Sequence, residues 1–284
     1  MRPAHRRVIS LLKKEYIKTI IKEDKIREDG RHPLDYRKIE IKARGGFTKG
    51  EGEAWVRLGR TQVLAGVKID VGDPYPDSPD TGVLITHEEP LPLASPTFEP
   101  GPPDENAIEL ARVVDRGIRS AEAVDLKQLV IPHPTDPGRN KVYLIFLDIH
   151  ILDHDGNLQD ASALAGIAAL MTTVIPEVKM TEDGKLEANL EKLKPLPTKA
   201  IPVSVTIAKI GDTLIVDPNL TEEEVADSRI TITVDDHNRV CAIQMLGGSF
   251  TPAELELAID IATVKSRELI EKVKAAVKEA EANA

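Results

Sequence analysis

Hydrophobic positions along the chain change period several times, and each change predicts an element. Ile9, Leu12, Tyr16, Ile17, Ile20 and Ile21 fall at helical spacing, while Lys13, Lys14, Lys18 and Lys22 occupy the remaining surface, so the opening segment predicts an amphipathic helix. From Tyr36 to Asp70 the period becomes two. Ile39 and Ile41, then Ala54, Val56 and Leu58, then Val63, Ala65, Val67 and Ile69 predict three strands of a half-buried antiparallel sheet, turning at Gly45-Gly46 and Gly59. Nine of the 20 prolines lie between Pro74 and Pro103, which predicts an extended, irregular arm there. Its apolar residues Val83, Leu84, Ile85, Leu91 and Leu93 exceed what a solvated loop needs, pointing to an interface. Asp104 suits the N-cap of a helix from Glu105 to about Ala123.

Lys141 to Asp153 is apolar on both faces, as expected of a strand inside a layered core, and leads through Asp155-Gly156-Asn157 into a small-residue helix over Ala161 to Val174. Lys179 to Lys199, charged and containing Pro195 and Pro197, predicts a surface linker. The second half repeats the order in miniature: strands at 202–210, 213–216, 230–235 and 240–246, then a long helix opening with Pro252 at its first turn. The expected organisation is a lead-in over 1–30, a first lobe over 31–178, a connection over 179–200 and a second lobe over 201–284.

The charge balance narrows the functions open to such a fold. With 47 acidic against 37 basic residues the formal net charge is −10, which excludes nucleic-acid binding through bulk positive charge. Aromatic residues at 3% are too scarce to favour base-stacking platforms. No uninterrupted apolar run approaches about 18 residues, and charges interrupt the first 19, so neither a membrane span nor a signal peptide is expected. Cys241 has no partner cysteine, which makes a reducing cytoplasm the expected location and a buried small hydrophobe its expected role.

Three polar clusters carry candidate chemistry. Asp148, His150, Asp153 and His154 supply metal-ligand chemistry, but strand alternation lets at most three groups converge, and a structural role with Asp155-Gly156-Asn157 as a turn is the favoured reading. The acidic stretch from Asp217 to Glu224 suits Mg²⁺ or a general acid, or, with Thr221 and Glu224, a helix-opening capping box. Arg112, Arg116 and Arg119 recur at i, i+4 and i+7, aligning three guanidinium groups along one helical side in a geometry that suits phosphates or, with Glu109 and Asp115, helical ion pairs.

The order of motifs resembles the RNase PH family of phosphate-dependent 3′→5′ exoribonucleases. The resemblance runs from Arg27-Glu-Asp-Gly-Arg31 through Gly50 to Val67 with Gly59-Arg-Thr61, through the strand, turn and helix of Asp148 to Gly166, to Asp217 through Gly248. It implies an α+β, RNase-PH-like (ribosomal protein S5 domain 2-like) fold of two pseudo-repeated lobes. In catalytic members the turn resembles Asp-Gly-Gly-Thr-Arg-Thr-Ala-Ser, whose Thr-Arg-Thr binds phosphate. Leu158, Gln159 and Asp160 stand there in this chain, and Asp160 is expected to repel phosphate. The family's two catalytic aspartates fall on Glu223 and Arg229, so the acid role is lost.

These departures resemble the non-catalytic ring subunit of the archaeal exosome. The resemblance implies a scaffold that alternates with a catalytic RNase-PH-like subunit in a six-membered ring. It would meet RNA-binding cap proteins and contact single-stranded RNA through Arg112, Arg116 and Arg119, with no metal, cofactor or membrane involved. The runner-up reading is an active phosphorolytic enzyme or nucleotidyltransferase using Glu223. An unrelated metal enzyme using Asp148 and His150 stands behind it.

Overall fold

The computed structural model describes residues 9–46, 50–181 and 183–282, so the first eight residues of the expected lead-in and the final two lie outside the description. Helix α1 (Leu11–Glu23) starts at Ser10, whose side chain accepts the Lys13 backbone N–H. Its apolar face is narrower than the periodicity predicts. Ile17 and Ile21 pack into a small cluster with Ala208, Ile210, Ile215 and Val225, whereas Leu12 and Tyr16 remain exposed.

The first sheet contains β1 (Ile39–Gly45), β2 (Gly52–Leu58), β3 (Thr61–Gly72), β4 (Val83–Pro90), the two-residue β5 (Val130–Ile131) and β6 (Lys141–Asp153), in the order β1-β2-β3-β6-β4 with β5 also on β6. Consecutive strands pair antiparallel as the alternation predicts; β4 pairs parallel with β6, from Val83 opposite Leu144 to Pro90 opposite Ile151. The proline-rich arm is therefore less irregular than expected. Its apolar run forms an edge strand with Val83 and Leu84 in the chain's own core, leaving Ile85 and Leu93 exposed.

Helix α2 (Glu105–Ser120) is capped by Asp104, whose carboxylate accepts the Ala107 N–H at 2.8 Å. Helix α3 (Leu158–Thr172) begins three residues earlier than expected and is buried almost all round, from Asp160 through Leu170. A helix with no polar face must be enclosed, and α3 is: the first sheet covers one side, while the second sheet and the C-terminal helix cover the other. Alanine and glycine let those layers approach closely.

The segment read as a linker instead forms a hairpin, β7 (Val174–Met180) with β8 (Leu186–Pro195), whose second strand is exposed throughout. The second sheet then runs β9 (Val203–Ile210), β10 (Thr213–Val216), β11 (Ser228–Val234) and β12 (Val240–Gly247) in the order β10-β9-β11-β12. The single-and-a-half-turn α4 (Leu220–Val225) lies between β10 and β11, and α5 (Pro252–Ala282) closes the chain. One hydrophobic cluster unites the lobes, containing Val56, Val63, Leu147 and Ile149 of the first sheet with Val205, Ile207 and Ile232 of the second. No helix among the described residues is long and apolar enough to cross a membrane.

Candidate functional site

The turn from β6 into α3 meets the loop from β10 into α4 at backbone contact distance. Gly156 takes φ +81°, and a Cβ there would lie 2.4 Å from the Leu220 backbone nitrogen, so no other side chain fits without displacing the loop. Asn157 follows in the left-handed region at φ 53° and is fully buried. Its amide donates to Asp160 Oδ2 at 2.9 Å and Asp217 Oδ1 at 2.7 Å, tying the helix start to the opposite loop. The Asn157 backbone N–H donates to Glu223 Oε1 at 2.9 Å, and the same oxygen pairs with Arg229 Nη1 at 2.7 Å. A carboxylate held by a guanidinium thus lies at the N-terminus of a 15-residue helix, where an anion is favoured by free N–H groups and the helix dipole.

Asp160 behaves differently from the expectation. It turns into the interior, where Oδ2 accepts from Tyr36 Oη at 2.7 Å and the Thr206 N–H at 3.1 Å, and Oδ1 accepts from Thr206 Oγ1 at 2.7 Å. Burial pushes its carboxyl up to about 6, against the lowering effect of those hydrogen bonds and that of Asn157. Leu158 and Gln159 instead line a cleft of about 310 Å³ that also contains Glu223 and Arg229.

Beneath this turn lies an ionic network that the sequence reading did not assemble. Arg27, only 2% exposed, donates from Nε to Glu222 Oε1 at 2.8 Å, pairs through Nη2 with Glu222 Oε2, and donates to the carbonyls of Val216 and Asp217 at 2.7 Å each. Arg37 grips Asp217 with Nε at 2.9 Å and Nη2 at 2.7 Å, and Arg31 adds Nη1 at 2.9 Å. Burial alone would raise Asp217; the hydrogen bonds and charge of Arg37, with the charge of Arg31, hold it below the ordinary carboxylate range. Glu222 also closes a capping box with Asn219, each side chain reaching the other's backbone N–H. The box therefore begins two residues before the Thr221 and Glu224 pair expected from spacing. The available signal is the cluster of Arg27, Arg31 and Arg37 around the junction of lead-in and first lobe, since buried arginines require carboxylate partners.

The three arginines of α2 are all exposed but are not equivalent. Arg119 is committed, with Nε 2.7 Å from Asp115 Oδ2 and Nη2 donating to the Leu84 carbonyl. Arg116 donates to Gln244 Oε1 at 2.7 Å, and Gln244 in turn donates to Glu109 at 3.0 Å, bridging α2 to β12 beside the cleft. Among the described residues Arg112 has no ion pair. His150, from the candidate metal cluster, lies 3.4 Å from Glu89, and no group of three or more His, Cys, Asp or Glu among the described residues is arranged to hold a metal ion. The Cys241 thiol is pushed up to about 11 by partial burial and the Asp235 charge, so it stays protonated at neutral pH.

Residues 35–176 match the model of domain 1 of the 3′ exoribonuclease family, RNase PH, and residues 200–265 match domain 2. The chain belongs to the RNase PH family. Its relatives in that family include the exosome complex component Rrp42 of Thermococcus gammatolerans, 54% identical over 263 residues that cover 92% of this chain and 94% of that one. The component of the same name from Pyrococcus furiosus is 48% identical, with 92% of each chain covered. Among solved structures, a chain of the Archaeoglobus fulgidus exosome with RNA bound to the active site superposes with TM-score 0.81 at 48% identity, covering 92% of this chain and 97% of that one. Rice Rrp46, at 17% identity and TM-score 0.67 over 89% of this chain and 100% of its own, shares the fold.

Leu158, Gln159, Glu223 and Arg229, drawn from both lobes, thus line one cleft, whereas Asp160 faces the interior. Here Leu158 and Gln159 present no cation to it, and Glu223 and Arg229 neutralise one another across it. The carboxylate at the α3 N-terminus that lines the cleft is Glu223, supplied by α4 from the second lobe, while Asp160 is bound in the interior by Tyr36 and Thr206.

Proposed function

We propose that this chain is a non-catalytic scaffold and RNA-contacting subunit of an archaeal exosome ring, supporting phosphate-dependent 3′→5′ RNA degradation by a catalytic RNase-PH-like partner. The observation that carries the inactive reading is the Glu223 carboxylate bound to the Asn157 N–H and to Arg229. An attacking phosphate would need that helix N-terminus and at least one uncommitted cation, and the chain's own carboxylate takes both. The similarity to exosome components over more than nine-tenths of the chain supports the ring. In it the chain alternates with the catalytic subunit around six positions and meets RNA-binding cap proteins, in the cytoplasm. Arg112 and Arg116, unpaired with carboxylates among the described residues of an otherwise acidic chain, offer local contacts for single-stranded RNA phosphates, with Arg119 at the end of the same stripe.

Phosphorolysis of poly(A) decides the matter. The purified chain alone should release no nucleoside diphosphate, and mixing with the catalytic subunit should give a ring of defined size with phosphate-dependent activity. Nucleoside diphosphate release by a partner-free preparation would refute the inactive reading, and a stable monomer indifferent to the partner at micromolar concentration would refute the scaffold.

A further inference from the structure

A second recess, of about 260 Å³, opens at the C-terminal end of α2 and shares no residue with the cleft beside α3. It lies between the start of β4, the last turn of α2, the short helical turn Leu126–Leu129 and Lys199. Its lining is aliphatic at the base, where Leu84, Ile118 and Val124 are buried and Leu126 is half-buried. Of the five charged residues around it, three are committed within the chain. Arg119 holds Asp115 at 2.7 Å and the Leu84 carbonyl, and Lys199 pairs with Asp125 at 2.7 Å. The other two, Glu122 and Lys127, are exposed and enter no ion pair among the described residues. Arg239 acts on Glu122 only as a longer-range charge, being itself 2.7 Å from Asp235.

Glu122 is also a costly residue for its place. Helix α2 ends in a Schellman motif: the Ala123 N–H donates to the Ile118 carbonyl and the Glu122 N–H to the Arg119 carbonyl, both at 3.0 Å. That turn puts Glu122 at φ 52°, a position usually held by glycine, which adopts left-handed backbone without steric penalty. The glutamate recovers none of this cost through an ion pair of its own, yet the turn sets it on the rim of the recess. It stands there beside the carbonyl end of α2, where the helix dipole favours a cation.

We infer that this recess binds a free aliphatic α-amino acid, with its ammonium on Glu122, its carboxylate on Lys127 and its side chain on the aliphatic lining. A dipolar ligand matches the one acid and the one base left uncommitted, which a simple anion or cation would not. The volume, below the range of about 300–1,000 Å³ for drug-sized ligands, suits a molecule of amino-acid size. The inference does not rest on the exosome reading, since it uses no residue of the cleft and leaves Arg119 paired.

The test is an NMR titration of the full-length chain that follows the methyl signals of leucine as the probe. Leucine should bind saturably in the millimolar range. N-acetylleucine, which lacks the ammonium, and leucinamide, which lacks the carboxylate, should each bind roughly 5-fold more weakly, the upper range for an exposed ion pair. Glycine, which has no side chain to bury, should not compete. Lys127→Met should erase the preference for leucine over leucinamide. Glu122→Gly separates a binding role from a structural one: the chain should fold at least as stably, because glycine suits the turn, while its preference for leucine over N-acetylleucine disappears. No saturation by leucine would overturn the inference. So would leucinamide or N-acetylleucine binding as tightly as leucine, equal competition by glycine, or a Glu122→Gly protein that keeps its preference for leucine.

Discussion

Glu88 lies on β4 under the start of α3, 1% exposed, with Oε1 accepting the Ser162 hydroxyl at 2.6 Å and Oε2 without a partner. Burial drives its carboxyl up from 4.5 to about 8, and the Ser162 hydrogen bond offsets only part of that rise. In the unfolded chain the carboxyl loses its proton near 4.5, so between pH 4.5 and 8 the folded state binds a proton that the unfolded state does not. Stability from this group is therefore complete below pH 4.5 and is lost as pH rises through 8, at about 1.4 kcal/mol per pH unit. From pH 5.5 to 7.5 the loss is about 2 to 3 kcal/mol. Glu88→Gln keeps the shape and the hydrogen bond to Ser162 while removing the titration. Guanidinium denaturation of both proteins at pH 5.5, 6.5 and 7.5 should therefore show the variant gaining on the wild type by about 2 to 3 kcal/mol across the series. Asp160 titrates nearby in both proteins and largely cancels in the difference. Parallel stability curves would mean that Glu88 is already ionised when buried, and the argument from desolvation would fail.

Gln159→Arg alone should not confer phosphorolysis on the isolated chain, because Glu223 still occupies the α3 N-terminus and Arg229 still replaces a carboxylate; diphosphate release by that variant would contradict this. In an assembled ring of unchanged size, replacing Arg112 and Arg116 by alanine should flatten the slope of log affinity for single-stranded RNA against log salt by about 1.4, at about 0.7 per phosphate contact. Arg119→Ala should change the slope little, since that side chain is bound to Asp115 and Leu84; an equal flattening from Arg119 would show that its pairing breaks on RNA binding. Arg37→Ala should destabilise the chain by roughly 3 to 5 kcal/mol in denaturant unfolding, because Asp217 is left buried with much of its compensation gone, and a loss under 1 kcal/mol would place Arg31 as the sufficient partner.

How much of this was legible in the chain depends on how far apart the interacting residues lie. The Asp104 cap and the β6 strand follow from neighbours within a turn or from simple alternation, and both agree with the structure. The β7 and β8 hairpin escaped because its second strand is exposed throughout and shows no buried alternation to read. Thr221 with Glu224 has the same spacing as Asn219 with Glu222, so local pattern alone does not choose the box; Arg27, almost two hundred residues upstream, engages Glu222 and fixes it. The surroundings of Asp160 likewise depend on distant residues. Its residue type at the family's phosphate position suggests repulsion, but Tyr36 and Thr206 supply a pocket of donors visible only after folding. The candidate cleft is half legible: Leu158, Gln159, Glu223 and Arg229 follow from the resemblance, whereas His154 reads only as a candidate metal ligand, and Phe98, which stacks on it, carries no signal in the sequence.

The clasp of Arg27, Arg31 and Arg37 on Asp217 and Glu222 also constrains the order of events on the ribosome. The guanidinium groups leave the exit tunnel early, and their carboxylates follow after roughly 180 to 200 more residues have been made. Until then Arg27 lacks Glu222, Arg37 lacks Asp217 and α3 lacks its far wall, so this apolar helix must be kept from solvent by something other than native packing. Folding to the final state is therefore a late, cooperative event that needs nearly the entire length of the chain. Neither half, cut out, swapped or expressed alone, is expected to keep this shared interior intact.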